Sequence, residues 1–361
     1  SDLPIRRPED ANILEKGGSP LPTLDFFARA TCPACGRKDA KRDTDTMDTF
    51  VESSWYYLRY CSPRYEEGIF DTEAVKYWAP VDQYIGGVEH AVLHLLYSRY
   101  FMRVLHTLGM INFKEPFTRL LTQGMVCKET MTCPDHGYLF PEEAVKNDDQ
   151  KLVCSRCSND VEIGRVIKMS KSKKNVVDPN ELLEKYGADV TRLFCLFAAP
   201  PERDLEWSED GVEGSHRFAN RVWRFALECM EKIDGFKPFT GAASDLSSAQ
   251  AKALYIKTNQ TIQKVTDDID KSFHFNTAIS AVMELVNVLY TIDLDTADAE
   301  LKKVILFSLE NILLLLSPIL PHFCEELFEK LGKTGSIIEQ PWPEYREDSL
   351  KSDEMIVVVQ V

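Results

Sequence analysis

Four lysines and two serines fall within seven residues of the sequence, in the segment Lys168-Met169-Ser170-Lys171-Ser172-Lys173-Lys174. Ammonium groups attract phosphate oxygens as point charges, and serine hydroxyls donate hydrogen bonds of adjustable direction. The lysine segment, residues 168–174, therefore has the composition of a polyphosphate site. A solvated basic loop is the alternative, and the spacing alone leaves both interpretations open.

Cysteine and histidine pairs precede the lysine segment. Two residues separate Cys133 from His136, and two separate Cys154 from Cys157. Three thiolates and one imidazole satisfy tetrahedral zinc, as in a zinc ribbon, and four protein ligands leave no open position for catalysis. The spacing therefore predicts structural zinc. Cys32 and Cys35 form only half of such a site, and the sequence does not show whether they bind metal.

A third candidate is basic. Arg217, Arg221 and Arg224 recur at steps of four and three, which places them on one face of a helix. Such a stripe suits contact with a phosphate backbone. A solvated face, or pairing with Glu209 and Glu213, is the alternative.

Composition limits the classes of protein to consider. The chain has 361 residues, 44% of them hydrophobic, which suggests two or three folded domains. The net charge of −15 excludes a general coat of nucleic acid, because phosphate binding depends on Lys and Arg. The sequence offers no membrane span and opens on no signal peptide, so no membrane partner is expected. Paired cysteines without a signal peptide indicate a reducing compartment, the cytoplasm.

The elements that must position these residues change along the chain. Up to about residue 200 the pattern alternates strand and helix, with a strand at Val81–Ile85 and an apolar helix from Val88, which suggests a parallel sheet. Beyond about 205 the period is 3.6, and each helix has one apolar stripe to bury in a bundle. The first of these helices is predicted at Phe218–Ile233 and the fourth at about Ala299–Leu316. A last strand, Met355–Val361, has no partner after it, and we expect the chain to continue in the complete protein.

The motifs together resemble class I aminoacyl-tRNA synthetases, and within that class the bacterial leucyl-tRNA synthetases. KMSKS is followed by NVVDP and YGADVTRLF. The other matching stretches are DTMDTFVESSWYYLRY (45–60), YIGGVEHAVLHLLYSRYF (84–101), LLTQGMV (120–126), GVEGSHRFANRVWR (211–224) and LSPILPHFCEELF (316–328). Lys174 stands where the family usually has glycine, which puts the turn after KMSKS in doubt.

The resemblance implies a reaction and a set of roles. Leucine is activated with ATP, bound as its magnesium complex, and is then transferred to tRNA(Leu); Lys168 and Lys171 would be catalytic, stabilising charge on the departing pyrophosphate. The resemblance implies amino-acid binding by Ser53, Tyr56, His90 and His94. The two histidines, four residues apart, are predicted to share one face of a helix. It implies ATP binding by Gly86, Gly87, Glu89, Gln123, Gly124, Met125, Lys168, Ser170, Lys171 and Ser172. Outside the resemblance, the histidines and aromatic residues would be ordinary packing and polar residues.

The implied fold is α/β plus all-α. It comprises the C-terminal half of a Rossmann-type catalytic domain with a zinc-ribbon insert, followed by an antiparallel helix-bundle domain that binds tRNA. The predicted boundaries are a connecting segment (1–45), the catalytic part (46–126 and 164–205), the leucine-specific zinc insert (127–163), the bundle (206–345) and the start of a further domain (346–361).

The family's H-I-G-H element and editing domain do not occur in the sequence. We therefore expect a C-terminal portion of a larger ligase, which needs an N-terminal half as partner and is inactive in leucyl-adenylate formation by itself. A non-catalytic RNA-binding module, or one subunit of a split synthetase, is the alternative.

Overall fold

The computed structural model describes residues 18–350. Two compact units divide the described residues: the first contains residues 18–84 together with Glu89–Leu120, and the second contains Ile85–Val88 and residues 121–350. The strand predicted at Met355–Val361 lies outside the described residues. Within residues 18–350, no helix is both long and apolar enough to cross a membrane.

Helices dominate the C-terminal part and short strands the middle. The helices are α1 (Asp25–Ala28), α2 (Thr49–Ser53), α3 (Tyr56–Tyr60), α4 (Thr72–Trp78), α5 (His94–Thr107), α6 (Pro179–Phe197), α7 (Glu209–Lys232), α8 (Ala249–Ser272), α9 (Phe275–Leu289), α10 (Ala299–Leu316) and α11 (Pro321–Lys330). The strands are β1 (Arg29–Ala30), β2 (Ala40–Lys41), β3 (Val81–Gly87), β4 (Phe117–Gln123), β5 (Val126–Cys133), β6 (Gly137–Leu139), β7 (Ala144–Lys146), β8 (Leu152–Cys154), β9 (Glu162–Lys168) and β10 (Leu205–Glu206).

The first unit has a small core beside α3 and α5. Leu58 and Met102 are fully buried there and pack with Phe70 and Val75. The predicted helix from Val88 is wrong at its start. Residues Val88–His90 form a single 3-10 turn instead, and α5 begins only at His94.

The second unit contains a four-stranded sheet organised by β5. Strand β10 pairs with the beginning of β5 in parallel, whereas β6 and β9 pair with it antiparallel. Strands β7 and β8 form a separate antiparallel hairpin. The predicted parallel sheet is therefore wrong for most of this sheet, because the cysteine-containing segment returns on β5 as hairpins rather than through crossover helices.

Helices α7 to α10 surround one large apolar core, which includes Ile262, Leu285 and Ile305. Local signals set their ends. The side chain of Ser248 accepts a hydrogen bond from an N–H of the first turn of α8, and Asp298 does the same for α10. Helix α7 begins at Glu209, nine residues before the predicted Phe218, because Ser208 caps it.

Candidate functional site

The lysine segment begins where a strand ends. Lys168 is the last residue of β9, and residues Lys171–Lys173 form a single 3-10 turn. Lys168 and Lys171 are exposed, and the hydroxyls of Ser170 and Ser172 lie 3.3 Å apart. The segment therefore presents two cations and a pair of hydroxyls within five residues, an arrangement suited to a phosphate chain.

A buried asparagine fixes the base of this loop. Asn175 is 2% exposed, and its Oδ1 accepts a hydrogen bond from the Ser170 N–H at 3.0 Å. Its Nδ2 donates to the carbonyls of Lys128 at 2.9 Å and Ile167 at 3.2 Å. Both ends of the amide are thus satisfied, so its loss would leave buried backbone groups without partners. Asn175 positions the loop against β5 and β9.

Lys174 connects the end of the loop to the cysteine-containing insert. Its φ is +55°, in the left-handed region that glycine adopts most readily. Its Nζ lies 3.3 Å from Glu143 Oε2 and 5.0 Å from the ring centre of Phe140. A hydrogen bond from the Phe140 N–H, together with Lys174 and Arg156, holds the pKa of Glu143 below its usual value. Glu143 is therefore ionised at neutral pH and attracts the lysine.

Gly124 occupies the tight turn between β4 and β5. A Cβ there would lie 2.1 Å from the backbone of Arg203 and 2.5 Å from the Asp204 N. Three hydrogen bonds hold this approach: Gly124 N–H to the Pro201 carbonyl at 2.9 Å, Met125 N–H to Asp204 Oδ1 at 2.7 Å, and Leu205 N–H to the Met125 carbonyl at 2.8 Å. The glycine is required by this contact with the protein's own backbone.

The other predicted nucleotide residues lie at strand ends. Gly86 and Gly87 close β3, and Gln123 closes β4 with an exposed side chain. No atom lies within 4 Å of a Cβ placed on Gly86, so a ligand has room to approach the backbone there. Glu89, in the first unit, is exposed within the turn that follows.

A chain of polar aromatic side chains forms in the first unit. Tyr84 OH lies 3.1 Å from Tyr56 OH and 2.6 Å from His94 Nε2. Burial, and then the neighbouring His90, lower the pKa of His94. Its imidazole is therefore neutral at pH 7, and Nε2 can accept the tyrosine proton in a hydrogen bond. Burial, and then Tyr56, raise the pKa of Tyr84, so this phenol remains a donor.

The prediction that the two histidines share one helical face is wrong. His90 ends the 3-10 turn and His94 begins α5, yet their ring centres are only 6.4 Å apart. His90 Nδ1 is buried with no hydrogen-bond partner. Ser53, the last residue of α2, is exposed, and no recorded contact ties it to this group.

The four predicted metal ligands converge. All four ligand atoms lie within 4.8 Å of one another. Cys133 Sγ is 3.4 Å from Cys157 Sγ and 3.6 Å from His136 Nδ1, and Cys154 Sγ is also 3.6 Å from that nitrogen. Sulfur atoms bound to one zinc at about 2.3 Å lie about 3.8 Å apart, so the donors fit the ion.

The pKa values of two thiols in this cluster shift in opposite directions. Burial raises the pKa of Cys133, but hydrogen bonds with His136 and the nearby backbone outweigh it and lower that pKa to about 6. A hydrogen bond from the Asn159 backbone lowers the pKa of Cys157, but burial and the other two cysteines outweigh it and raise that pKa to about 11. Among residues 18–350 no third ligand joins Cys32 and Cys35.

The three arginines of the predicted basic stripe lie on α7 in different surroundings. The Arg221 guanidinium lies 4.6 Å from the ring centre of Tyr290. Arg217 lies 3.8 Å from Glu213, with both side chains mostly exposed, so that pair is weak. Arg224 is exposed, and its Nε donates to the Asn220 carbonyl at 3.3 Å.

Sequence reasoning missed Tyr84, Asn175 and Glu143. Tyr84 was assigned only to a strand, and Asn175 only to a motif that follows the lysines. The period-two pattern of β3 could have identified Tyr84 as a candidate site residue, because alternate side chains of a strand lie on one face. No sequence signal pairs Glu143 with a lysine 31 residues away.

Comparisons with known proteins agree with the motifs. A family model described as tRNA synthetases class I (I, L, M and V) matches residues 160–208, and one described as anticodon-binding domain of tRNA ligase matches residues 251–361. Leucine–tRNA ligase of Desulforapulum autotrophicum is 67% identical over 99% of this chain, and that of Desulfatibacillum aliphaticivorans is 62% identical over 99%. The chain spans 41% of each relative's length.

Solved structures give the same result. The crystal structure of the Agrobacterium radiobacter K84 LeuRS–tRNA–LeuAMS ternary complex is 33% identical, with a TM-score of 0.72, over 98% of this chain and 39% of that one. Mycobacterium tuberculosis methionyl-tRNA synthetase, solved with methionyl-adenylate, is 18% identical with a TM-score of 0.54 over 79% of this chain and 50% of that one, a likeness of fold. The predicted resemblance to leucine–tRNA ligases is confirmed, and the fold is that of class I synthetases.

Proposed function

We propose that the protein supplies the KMSKS loop for leucine activation and part of the surface that binds tRNA(Leu). Its sequence matches about two-fifths of the length of the leucine–tRNA ligases compared with it. The observation that carries this proposal is the geometry of the lysine segment. Lys168 and Lys171 are exposed on a loop whose base is fixed by the buried Asn175.

The chemistry asked of these residues is electrostatic. When the leucine carboxylate attacks the α-phosphorus of ATP, negative charge develops on the leaving pyrophosphate. Lys168 and Lys171 would stabilise that charge, and the Ser170 and Ser172 hydroxyls would donate hydrogen bonds to phosphate oxygens. Magnesium arrives with ATP as part of the substrate. Gly86, where a Cβ would meet open space, would let the nucleotide approach the backbone.

Leucine binding is proposed for the tyrosine–histidine chain. The hydrogen bonds among Tyr56, Tyr84 and His94 fix the orientation of a neutral imidazole, which would form part of the leucine site. The unpartnered His90 Nδ1 offers a buried hydrogen-bonding site for a polar group of the substrate. Ser53 and Glu89 belong to this proposal only through the family match.

We propose structural zinc at Cys133, His136, Cys154 and Cys157. When bound, the ion would crosslink the β5–β6 turn to the end of β8 through a closed tetrahedral set. The chain's own contribution is the preformed ligand cluster. The insert at 127–163 would then be a zinc ribbon that supports the KMSKS loop through Glu143, and helices α7 to α11, within the proposed domain 206–345, would form the antiparallel bundle that contacts tRNA. We propose the cytoplasm as the compartment.

A chimera tests the ligase function. The matching 41% of the D. autotrophicum ligase is replaced by this chain, a substitution that 67% identity makes compatible. We expect leucine-dependent pyrophosphate exchange and leucylation of tRNA(Leu), and loss of both by about 100-fold or more in Lys171→Ala. Lys237→Ala, in the loop after α7, is the matched control and should leave both activities unchanged.

The remaining three-fifths of the relatives' length is the proposed partner of this chain. The chain alone should give no exchange above background, and mixing it with the N-terminal part of the relative should restore activity. An inactive chimera that folds as the parent does would refute the ligase proposal. The match to leucine–tRNA ligases along the whole chain does not favour a non-catalytic RNA-binding module.

A further inference from the structure

A cavity of about 440 Å³ lies in the second unit between α6, α7 and α11. Its volume falls in the range of small-ligand pockets, roughly 300–1,000 Å³. None of the roles proposed above uses it. The side chains that matter for its chemistry are Tyr186, His216, Asn220, Trp223, His322 and Phe323.

The cavity is lined by flat rings with hydrogen-bonding groups at its edge. The Tyr186 and His216 rings meet edge to face at 5.6 Å, and the Trp223 and Phe323 rings lie 5.6 Å apart. Asn220 and His216 lie on the exposed side of α7 and contact each other at 3.0 Å. Aromatic and imidazole faces beside an amide are the surroundings in which proteins hold an unstacked nucleobase.

The shape of the cavity depends on a break in α6. Gly187 has φ +79° and ψ 165°, outside the helical region, directly beside Tyr186. The following Asp189 accepts a hydrogen bond from the Phe323 N–H at 2.7 Å and contacts His322 Nδ1 at 3.0 Å. Asp189 thereby caps the first turn of α11.

Basic residues adjoin the cavity-lining residues along the chain, although Glu213 lies 3.8 Å from Arg217 and Asp189 is itself part of the lining. On α7, Arg217 and Arg224 follow the cavity residues His216 and Trp223 by one position each, so they lie on the adjoining face of the helix. Lys185 Nζ lies 4.8 Å from the Tyr186 ring centre. In a chain of net charge −15, such a concentration of cations beside aromatic rings indicates a local site for a polyanion that also carries bases.

We propose that this cavity binds one unstacked nucleotide of tRNA(Leu), with the base against the aromatic walls, its edge hydrogen-bonded to Asn220, and its flanking phosphates at Arg217 and Arg224. The inference rests on the proposed function only in that tRNA is the RNA bound. The cavity is thus a base-holding site distinct from the lysine segment.

Binding of a tRNA(Leu) transcript to the 361-residue chain tests the site. Tyr186→Leu keeps the apolar bulk but removes the stacking face, and Asn220→Ala removes the edge contact. Each should weaken binding at least fivefold, the equivalent of about 1 kcal/mol for one lost stack or hydrogen bond. Neither should change the slope of log affinity against log salt. Arg224→Ala should instead reduce that slope by about one unit.

Leu227→Ala, one turn further along α7 and 42% exposed, is the matched control and should bind as the parent does. Circular dichroism should show equal melting temperatures for all variants, which separates lost contacts from lost folding. If the parent binds and both cavity variants bind equally well, the base-holding site is wrong while the ligase proposal stands. If the parent does not bind tRNA(Leu) at all, the tRNA part of the proposed function fails, and this site fails with it.

Discussion

Replacing Gly124 by alanine should disrupt the turn on which β4, β5 and the segment before α7 meet. The added Cβ would lie 2.1 Å from the carbonyl of Arg203, about 1.3 Å closer than the 3.4 Å at which ordinary contact begins. The obstacle is backbone rather than a flexible side chain. Residues 201–205 must therefore move, together with the hydrogen bonds that hold them.

The cost follows from the three hydrogen bonds at this turn, of which Gly124 N–H and Leu205 N–H each make one. Overpacking costs about 1–3 kcal/mol, and each lost hydrogen bond adds about 0.5–1.5 kcal/mol. We expect the local structure to lose about 2–4 kcal/mol, since the turn can relax without losing every bond.

Hydrogen exchange measures this loss locally, which matters because a chain of two compact units need not unfold in one step. The amides of residues 202–206 should exchange about 30- to 1,000-fold faster in Gly124→Ala than in the parent. Gly86→Ala is the matched control, because its Cβ meets open space, and exchange there should change little. In the chimeric ligase, Gly86→Ala should instead raise KM for ATP. Equal exchange in Gly124→Ala and the parent would show that the turn accommodates a Cβ and would refute the reasoning.

Further outcomes follow from the other contacts. Tyr84→Phe removes the hydroxyl that bonds His94 and should raise KM for leucine about fivefold in pyrophosphate exchange, with circular dichroism unchanged. Because the folded pKa of His94 is lowered, its contribution to stability is full above about pH 6.5 and is lost below it; the urea midpoint should fall between pH 7 and 5.5, and less so in His94→Gln. Metal analysis should find one zinc per chain, and none in Cys154→Ser. Glu143→Gln should leave zinc bound. It should lower kcat of the chimera while changing KM for leucine less, because Lys174 loses its ion pair with Glu143.

The helices after residue 205 were largely predictable, because their signals are local. The predicted fourth helix, about Ala299–Leu316, is α10 residue for residue, with Asp298 capping its start. The start of α7 was missed because Gly211 and Gly214 interrupt the period. Gly211 is where α7 approaches Phe194 of α6, and a Cβ there would lie 2.6 Å from that ring. The glycine needed for close packing between α6 and α7 thus interrupts the apolar periodicity, and the start of α7 could not be predicted from that periodicity.

The apolar stripe predicted on α5 illustrates a different limit. Val92 is 76% exposed, Leu96 61% and Tyr100 61%, whereas Ser98 and Met102 are fully buried. Periodicity establishes that a helix has an apolar face, but not that the face is covered within the described residues. Ser98 occupies a core position although a serine is expected on the polar face. Its hydroxyl donates a hydrogen bond to the Ser54 carbonyl at 2.8 Å, a partner 44 residues away in the sequence.

At the candidate site, too, the sequence predicted which residues take part better than it predicted which residues contact each other. The cluster of four candidate metal ligands was predictable because two short spacings restrict the geometry, and their side chains converge as predicted. The tyrosine–histidine chain was not, since Tyr56 and Tyr84 meet only after the chain has folded across 28 residues. Pattern identifies residues with chemistry, whereas their partners depend on tertiary packing.

Lys174 shows how a departure from a family pattern can be accommodated. A left-handed conformation costs a non-glycine residue about 1–2 kcal/mol, so lysine in place of glycine raises doubt about the turn. The ion pair with the half-buried Glu143 and the contact with the adjacent Phe140 ring favour this conformation and offset part of that cost. The turn after the lysine segment is then stable only while the insert holds Glu143 in place. Since the four proposed zinc ligands lie in the same insert, removal of the metal should loosen the KMSKS loop, seen as faster hydrogen exchange at residues 168–174.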